Sequence, residues 1–248
     1  MRRTTGMVSG SLAFVLAILA NTSTASADFV SFSGSGSGGL SASVTFEVDG
    51  GNLIVTLTNT SSMDVMASNQ VLSGVWFSLP GSLTPVSADV NSGSVVNNNT
   101  DAGVAAFPDV SGEWAYKSGL NMSFGSNSGI SSSGMDDEFG VGDLFSNNNL
   151  ENPLSPNGIN YGITSAGDNA ATANGGLGDE PLIQNSVVFV LSGWNENWSL
   201  SDIADVFFQY GTSQSEPRIP AIPEPGTIIL MTIGLVGVGI AARKFAWL

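Results

Sequence analysis

Apolar and polar residues alternate along much of this chain with a period of two, which sends successive side chains to opposite faces of a strand. Val44, Phe46 and Val48 alternate with Thr45 and Glu47, and after Asp49-Gly50-Gly51-Asn52 the residues Leu53, Val55 and Leu57 alternate with Ile54, Thr56 and Thr58. This predicts a hairpin with one buried face and a glycine-rich turn. In Val71 to Leu79 (VLSGVWFSL), Val75, Trp76 and Phe77 are consecutively apolar. A central strand is predicted there, with Gly74 marking a bulge. Further strands are predicted at Leu83 to Ala88, Glu113 to Tyr116, Leu120 to Phe124, Val187 to Leu191 and Asp205 to Tyr210. No long amphipathic helix is evident, and short strands separated by Gly, Ser and Asn clusters predict an all-β domain of β-sandwich or jelly-roll type.

Three stretches are less regular. Residues 125–181 hold Ser131-Ser132-Ser133, Asn147-Asn148-Asn149 and many glycines. A loop of that length is unusual in a compact domain, so short pieces such as Asp143 to Phe145 and Ile159 to Ile163 are expected to pin it. Ser31 to Gly39 (SFSGSGSGG) reads as a flexible lead-in or a strand-flanking loop, and residues 213–222, with Pro217 and Pro220, as a stiff stalk.

Two apolar runs depart from the strand period. Leu12 to Ala20 (LAFVLAILA) follows Arg2-Arg3 and precedes Ala25-Ser26-Ala27, the layout of a secretory signal peptide cleaved before Asp28. Gly226 to Ala242 carries no charge, and at about 1.5 Å per residue it makes a helix of roughly 25 Å, near the lower limit for crossing a bilayer. Pro225 suits the first helical turn. Arg243 and Lys244 would hold the far end in the cytoplasm, leaving everything before Pro223 outside. The predicted organisation is a signal peptide (1–27), a β-sandwich ectodomain (28–212), a stalk (213–222) and a terminal segment (223–248) with a transmembrane helix over 226–242.

Pro223-Glu224-Pro225, the apolar segment and Arg243-Lys244, together with the N-terminal signal peptide, resemble the PEP-CTERM sorting signal of Gram-negative bacteria. The resemblance implies that an exosortase, a membrane-embedded cysteine protease or transpeptidase, recognises Pro223, Glu224 and Pro225, with Arg243 and Lys244 as the cytoplasmic stop. It further implies an inner-membrane intermediate, followed by delivery to the cell surface or an exopolysaccharide-linked extracellular matrix. Phe245-Ala246-Trp247-Leu248 departs from the arginine run with which the family often ends. Residues 111–216, with SGEWAYKSGL, GISSSGMDDEFG, SPNGINYGI and VFFQYGTSQSEP, also resemble an exosortase-dependent surface protein family, one that brings no activity to carry over.

Charge and composition narrow the chemistry. Residues 28–221 hold 20 of the 21 acids and only two of the six bases, Lys117 and Arg218, a net charge of −18. A phosphate-backbone binder needs a basic patch, so nucleic acid is excluded as a partner. Cys and His are both absent. That removes disulfides, Ser-His-Asp and Cys-His catalysis, and Cys/His zinc sites.

Three constellations remain. Asp136, Asp137, Glu138 and Asp143, with Asp168, Asn169, Asp179 and Glu180 from other loops, are oxygen donors of the kind Ca²⁺ takes, although a solvated acidic loop is the plainer reading. Trp76, Trp114, Tyr116, Trp194 and Trp198 are plates able to stack on sugar rings. Trp194 and Trp198, in the polar stretch GWNENW, are the best placed for exposure. A glycoside hydrolase would need two facing carboxylates, and no acid stands out from its neighbours. The reading is therefore an exported, non-enzymatic structural or adhesive component associated with exopolysaccharide, with no required cofactor. A carbohydrate-binding module is the alternative, and a hydrolase comes third.

Overall fold

In the computed structural model, residues 29–97, 109–135, 159–172 and 177–224 are described. Their regular structure is strand with single 3-10 turns. The alternating segment around Gly50 forms β2 (Ser41–Asp49) and β3 (Asn52–Asn59), paired from Asp49↔Asn52 outward. Gly50 and Gly51 adopt φ of 56° and 84°, the left-handed pair that a two-residue hairpin turn requires. Val44, Phe46, Leu53, Val55 and Leu57 point inward and are fully buried.

The remaining strands are β1 (Phe29–Ser35), β4 (Leu72–Ser78), β5 (Thr84–Val90), β6 (Val95–Asn97), β7 (Ala115–Ser118), β8 (Ser128–Ser131), β9 (Ile163–Thr164), β10 (Leu182–Gln184), β11 (Ser186–Ser192), β12 (Ala204–Tyr210), β13 (Arg218–Pro220) and β14 (Ile222–Pro223). One sheet runs β14-β1-β2-β3-β11-β5 with every pair antiparallel. The other runs β13-β12-β4-β9-β10-β6, with β8 also paired to β4 and β7 to β8. Aromatic side chains join the two sheets across a shared core. Phe46 of β2 meets Phe77 of β4 at 5.1 Å between ring centroids, and Trp114 meets Phe189 of β11 at 5.0 Å. The packing is that of a sandwich-like, all-β domain.

β4 is central, as its consecutive apolar residues predict. Phe77 enters the main core, whereas Trp76 faces the opposite way into a second cluster with Ala115, Met122 and Met135. Gly74 sits beside a register shift against β12, and a Cβ there would lie 2.7 Å from the Ile130 carbonyl oxygen. The missing side chain lets β8 approach.

Three predicted elements differ. Leu120 to Phe124 is a loop of turns, not a strand; its apolar residues cover Trp76, with Phe124 at 6.1 Å from that ring. Ser111–Glu113 is a 3-10 turn, so β7 begins only at Ala115. Ser31 to Gly39 is no flexible lead-in, since most of it is β1, which pairs with β2 along its whole length. Asp143 to Phe145 lies outside the described residues.

Tyr210 of β12 is fully buried. Burial pushes its phenol up to about 12, only partly offset by the nearby Ser61 side chain and Ser41 backbone. Tyr116 is shifted in the same direction by the same cause. The folded domain therefore keeps these protons after the unfolded chain, whose phenols titrate near 10, has lost them. Stability contributed here is fully present below about pH 10 and is lost as pH rises toward 12. Thermal melts across that window should show Tm falling for the wild type and falling less for Tyr210→Phe; equal slopes would contradict this assignment.

Candidate functional site

The chain leaving β12 does not become a stalk. Gly211 adopts φ 76°, and the Glu216 carboxylate folds back to accept hydrogen bonds from the Thr212 and Ser213 N–H groups. The buried Gln209 donates Nε2–H to the Ser213 carbonyl at 3.1 Å, and the Tyr210 N–H donates to the Pro217 carbonyl at 3.0 Å. This turn delivers Arg218–Pro220 onto β12 as edge strand β13, with Arg218 3.9 Å above the Phe124 ring. Pro220 is tolerated because an edge strand can forgo one donor.

The chain then crosses to the other sheet. The Ala221 N–H donates to the Val206 carbonyl, Ile222 and Pro223 pair with Ser33 and Phe32 of β1, and the Glu224 N–H donates to the Ser31 carbonyl at 2.8 Å. A Cβ on Gly34 would lie 2.7 Å from the Pro220 carbonyl oxygen, so this glycine permits the crossing. From Arg218 onward the predicted stalk is thus replaced by two short strands laid on opposite sheets. Pro223 and Glu224 of the predicted tripeptide begin on the body of the domain. Pro225, the apolar segment 226–242, Arg243 and Lys244 lie outside the described residues, as do Ala25, Ala27 and Asp28. Among the described residues no helix is long and apolar enough to cross a membrane.

Trp194 and Trp198 fall on the loop after β11. The Trp194 N–H donates to the Gly51 carbonyl at 3.0 Å, tying the loop to the β2–β3 turn. Asn195 accepts from the Asn197 and Trp198 N–H groups, and Ser199 caps the 3-10 turn Leu200–Asp202 while the Asp202 carboxylate accepts the Ser199 N–H. The indoles meet edge to face, 5.6 Å apart at 86°. Trp198 lies over Gly81, where a Cβ would come within 2.6 Å of the ring. Both rings are half-buried, packed against the core on one side and bordering a cavity of about 450 Å³ on the other. Val48, Gly51, Glu196, Ser199 and Leu200 complete its walls. Val48 and Gly51 were not singled out for this site by sequence, because only the fold, with the Trp194–Gly51 backbone bond, brings them beside a loop more than about 140 positions later.

The other aromatic candidates are core. Trp76, Trp114 and Tyr116 are buried. Of the acidic candidates, Asp136, Asp137, Glu138 and Asp143 lie outside the described residues. Asp168 accepts the Val65 N–H at 2.8 Å, while the Asn169 N–H donates to Asp64, so both serve to close loops. Among the described residues no group of three or more His, Cys, Asp or Glu could hold a metal ion.

No curated protein and no solved structure matches the chain. A family model does match at residues 221–244: the PEP-CTERM protein-sorting motif. Its first residues are those that leave β13 and pair with β1, and the match implies exosortase-dependent sorting toward the surface. The chain is thus a PEP-CTERM sorting domain-containing protein, with its motif starting at the edge of an all-β domain.

Proposed function

We propose that this protein is exported by its signal peptide, held briefly in the inner membrane by residues 226–242, processed by an exosortase, and deployed as a non-enzymatic structural or adhesive component of an exopolysaccharide matrix. The observation that carries the reading is the sorting motif at 221–244. The domain attached to it supports the same reading. It is built from two sheets around a shared apolar core, with no disulfide, since the chain has no cysteine. Its charge of −18 over residues 28–221 keeps such a surface soluble and self-repelling.

A second reading, as a carbohydrate-binding module, is favoured by the Trp194–Trp198 corner and its cavity, since half-exposed indoles beside a carboxylate suit sugar rings. Matrix association has a direct test. Cells unable to make exopolysaccharide should shed most of the processed protein into the medium, whereas the parent strain should retain it. Equal retention in both would contradict a polysaccharide-linked role.

A further inference from the structure

We propose that the cavity between the β2–β3 turn and the 193–200 loop binds an amino sugar, a hexose unit carrying a protonated amine within a polysaccharide chain. The inference rests on the matrix reading above and goes further by naming the charge and class of the ligand.

The walls give the first argument. Two indoles standing at 86° and 5.6 Å form a right-angled corner that presents π faces in two directions. One face can stack on the apolar side of a pyranose while the other attracts a cation through its ring quadrupole. The volume of about 450 Å³ falls within the range of small-molecule sites.

Charge gives the second. Glu196 lines the same cavity, is exposed, and makes no hydrogen bond or ion pair with the described residues. Its carboxylate is thus available to an incoming donor. A neutral sugar can donate a hydroxyl to the carboxylate and stack on an indole, but a cationic one gains a charge-assisted hydrogen bond to the carboxylate and a cation–π contact in addition. An anionic sugar is opposed by Glu196 and by the net charge of −18 around it.

Rigidity gives the third. The Trp194–Gly51 backbone bond, the Asn195 turn, the Ser199–Asp202 cap and the Gly81 seat beneath Trp198 fix the loop before any ligand arrives. A preformed corner avoids the ordering cost of binding. Nothing in the packing of the main core requires a free carboxylate here.

The test uses the purified full chain in calorimetric titrations with four probes of matched length: glucosamine oligomers with the amine protonated, their N-acetylated counterparts, a neutral glucose oligomer, and oligolysine. The expected result is tightest binding to the glucosamine oligomers, at least about tenfold over the acetylated form, the size of one charge-assisted hydrogen bond. Glu196→Gln should abolish that preference. Trp198→Ala should reduce binding by about tenfold or more. Because Trp198 also packs on Gly81, the exposed Glu196 variant keeps the test decisive if the tryptophan variant misfolds. Equal binding of acetylated or neutral oligomers overturns the cation assignment, equal binding of oligolysine overturns the sugar assignment, and no binding overturns the site. Any of these failures with matrix retention in cells intact would leave the broader functional reading standing.

Discussion

Truncation after Glu224 will leave a folded domain that no longer stays at the cell surface. Removing 225–248 keeps in the chain every residue of both sheets and of the β1–β14 pairing. The truncated chain loses Pro225, the apolar run and the basic pair, the features that the sorting motif combines. On the proposed route the apolar run is what holds the chain in the bilayer for processing, and the truncated chain lacks it. Fractionation should move nearly all of the protein from the cell exterior to the soluble periplasmic or culture fraction. Its melting curve should stay within about 1 kcal/mol of the parent, the scale of one hydrogen bond. Unchanged surface retention would contradict a sorting role for this segment. A large loss of stability would contradict the claim that the domain is complete without it.

The largest effect on folding is expected from Phe46→Ala. Phe46 is fully buried and bridges the sheets, meeting Phe32 at 5.9 Å and Phe77 at 5.1 Å, both edge to face. Removing such a ring from a close-packed core costs about 3–5 kcal/mol, from lost transfer energy and the cavity left behind. A domain has only about 5–15 kcal/mol of net stability. With no disulfide to restrain the unfolded chain, Tm should fall by roughly 6–20 °C for a domain of this size. Thr56→Ala, on the outward face of β3 opposite Val188, should move Tm by no more than a few degrees. Similar shifts for the two variants would mean that the sheets do not share this core.

What the sequence revealed follows from how each segment is buried. β2, β3 and β11 are covered on one face, so alternation marked them almost residue by residue. β4 is buried on both faces, so Val75-Trp76-Phe77 marked it as central. β1 was obscured because Phe32 is its only buried side chain and Gly34, with Gly36 just beyond the strand, serves the close passage of β13 rather than flexibility. Leu120 to Phe124 misled for the opposite reason. Its apolar residues pack onto Trp76 from a loop, where no ladder is needed. The stalk reading came from Pro217 and Pro220, which in this chain fit an edge strand and the turn before it.

The site divides in the same way. The sorting motif over residues 221–244 was legible because such a signal is linear in sequence. The attachment of Pro223 and Glu224 to β1 was not, since it depends on β14 pairing with Phe32 and Ser33 and on the Glu224 N–H donating to the Ser31 carbonyl, far apart in sequence. Trp194 and Trp198 stood out from their polar neighbours, although the fold half-buries both, while Val48 and Gly51 join them only through the Trp194–Gly51 bond.

This placement constrains processing. A protease that reads an extended peptide must engage Pro223 and Glu224 within one or two residues of a folded sheet edge. β14 is short, and Pro223 offers no N–H to β1, so its release from that edge breaks few ladder hydrogen bonds.

Mass spectrometry of the two termini of protein recovered from the cell exterior tests export and sorting together. The account predicts an N-terminus at Asp28 and no peptide from Gly226 to Leu248. Recovery of external protein that still carries both Leu12 to Ala20 and Gly226 to Ala242 would contradict it.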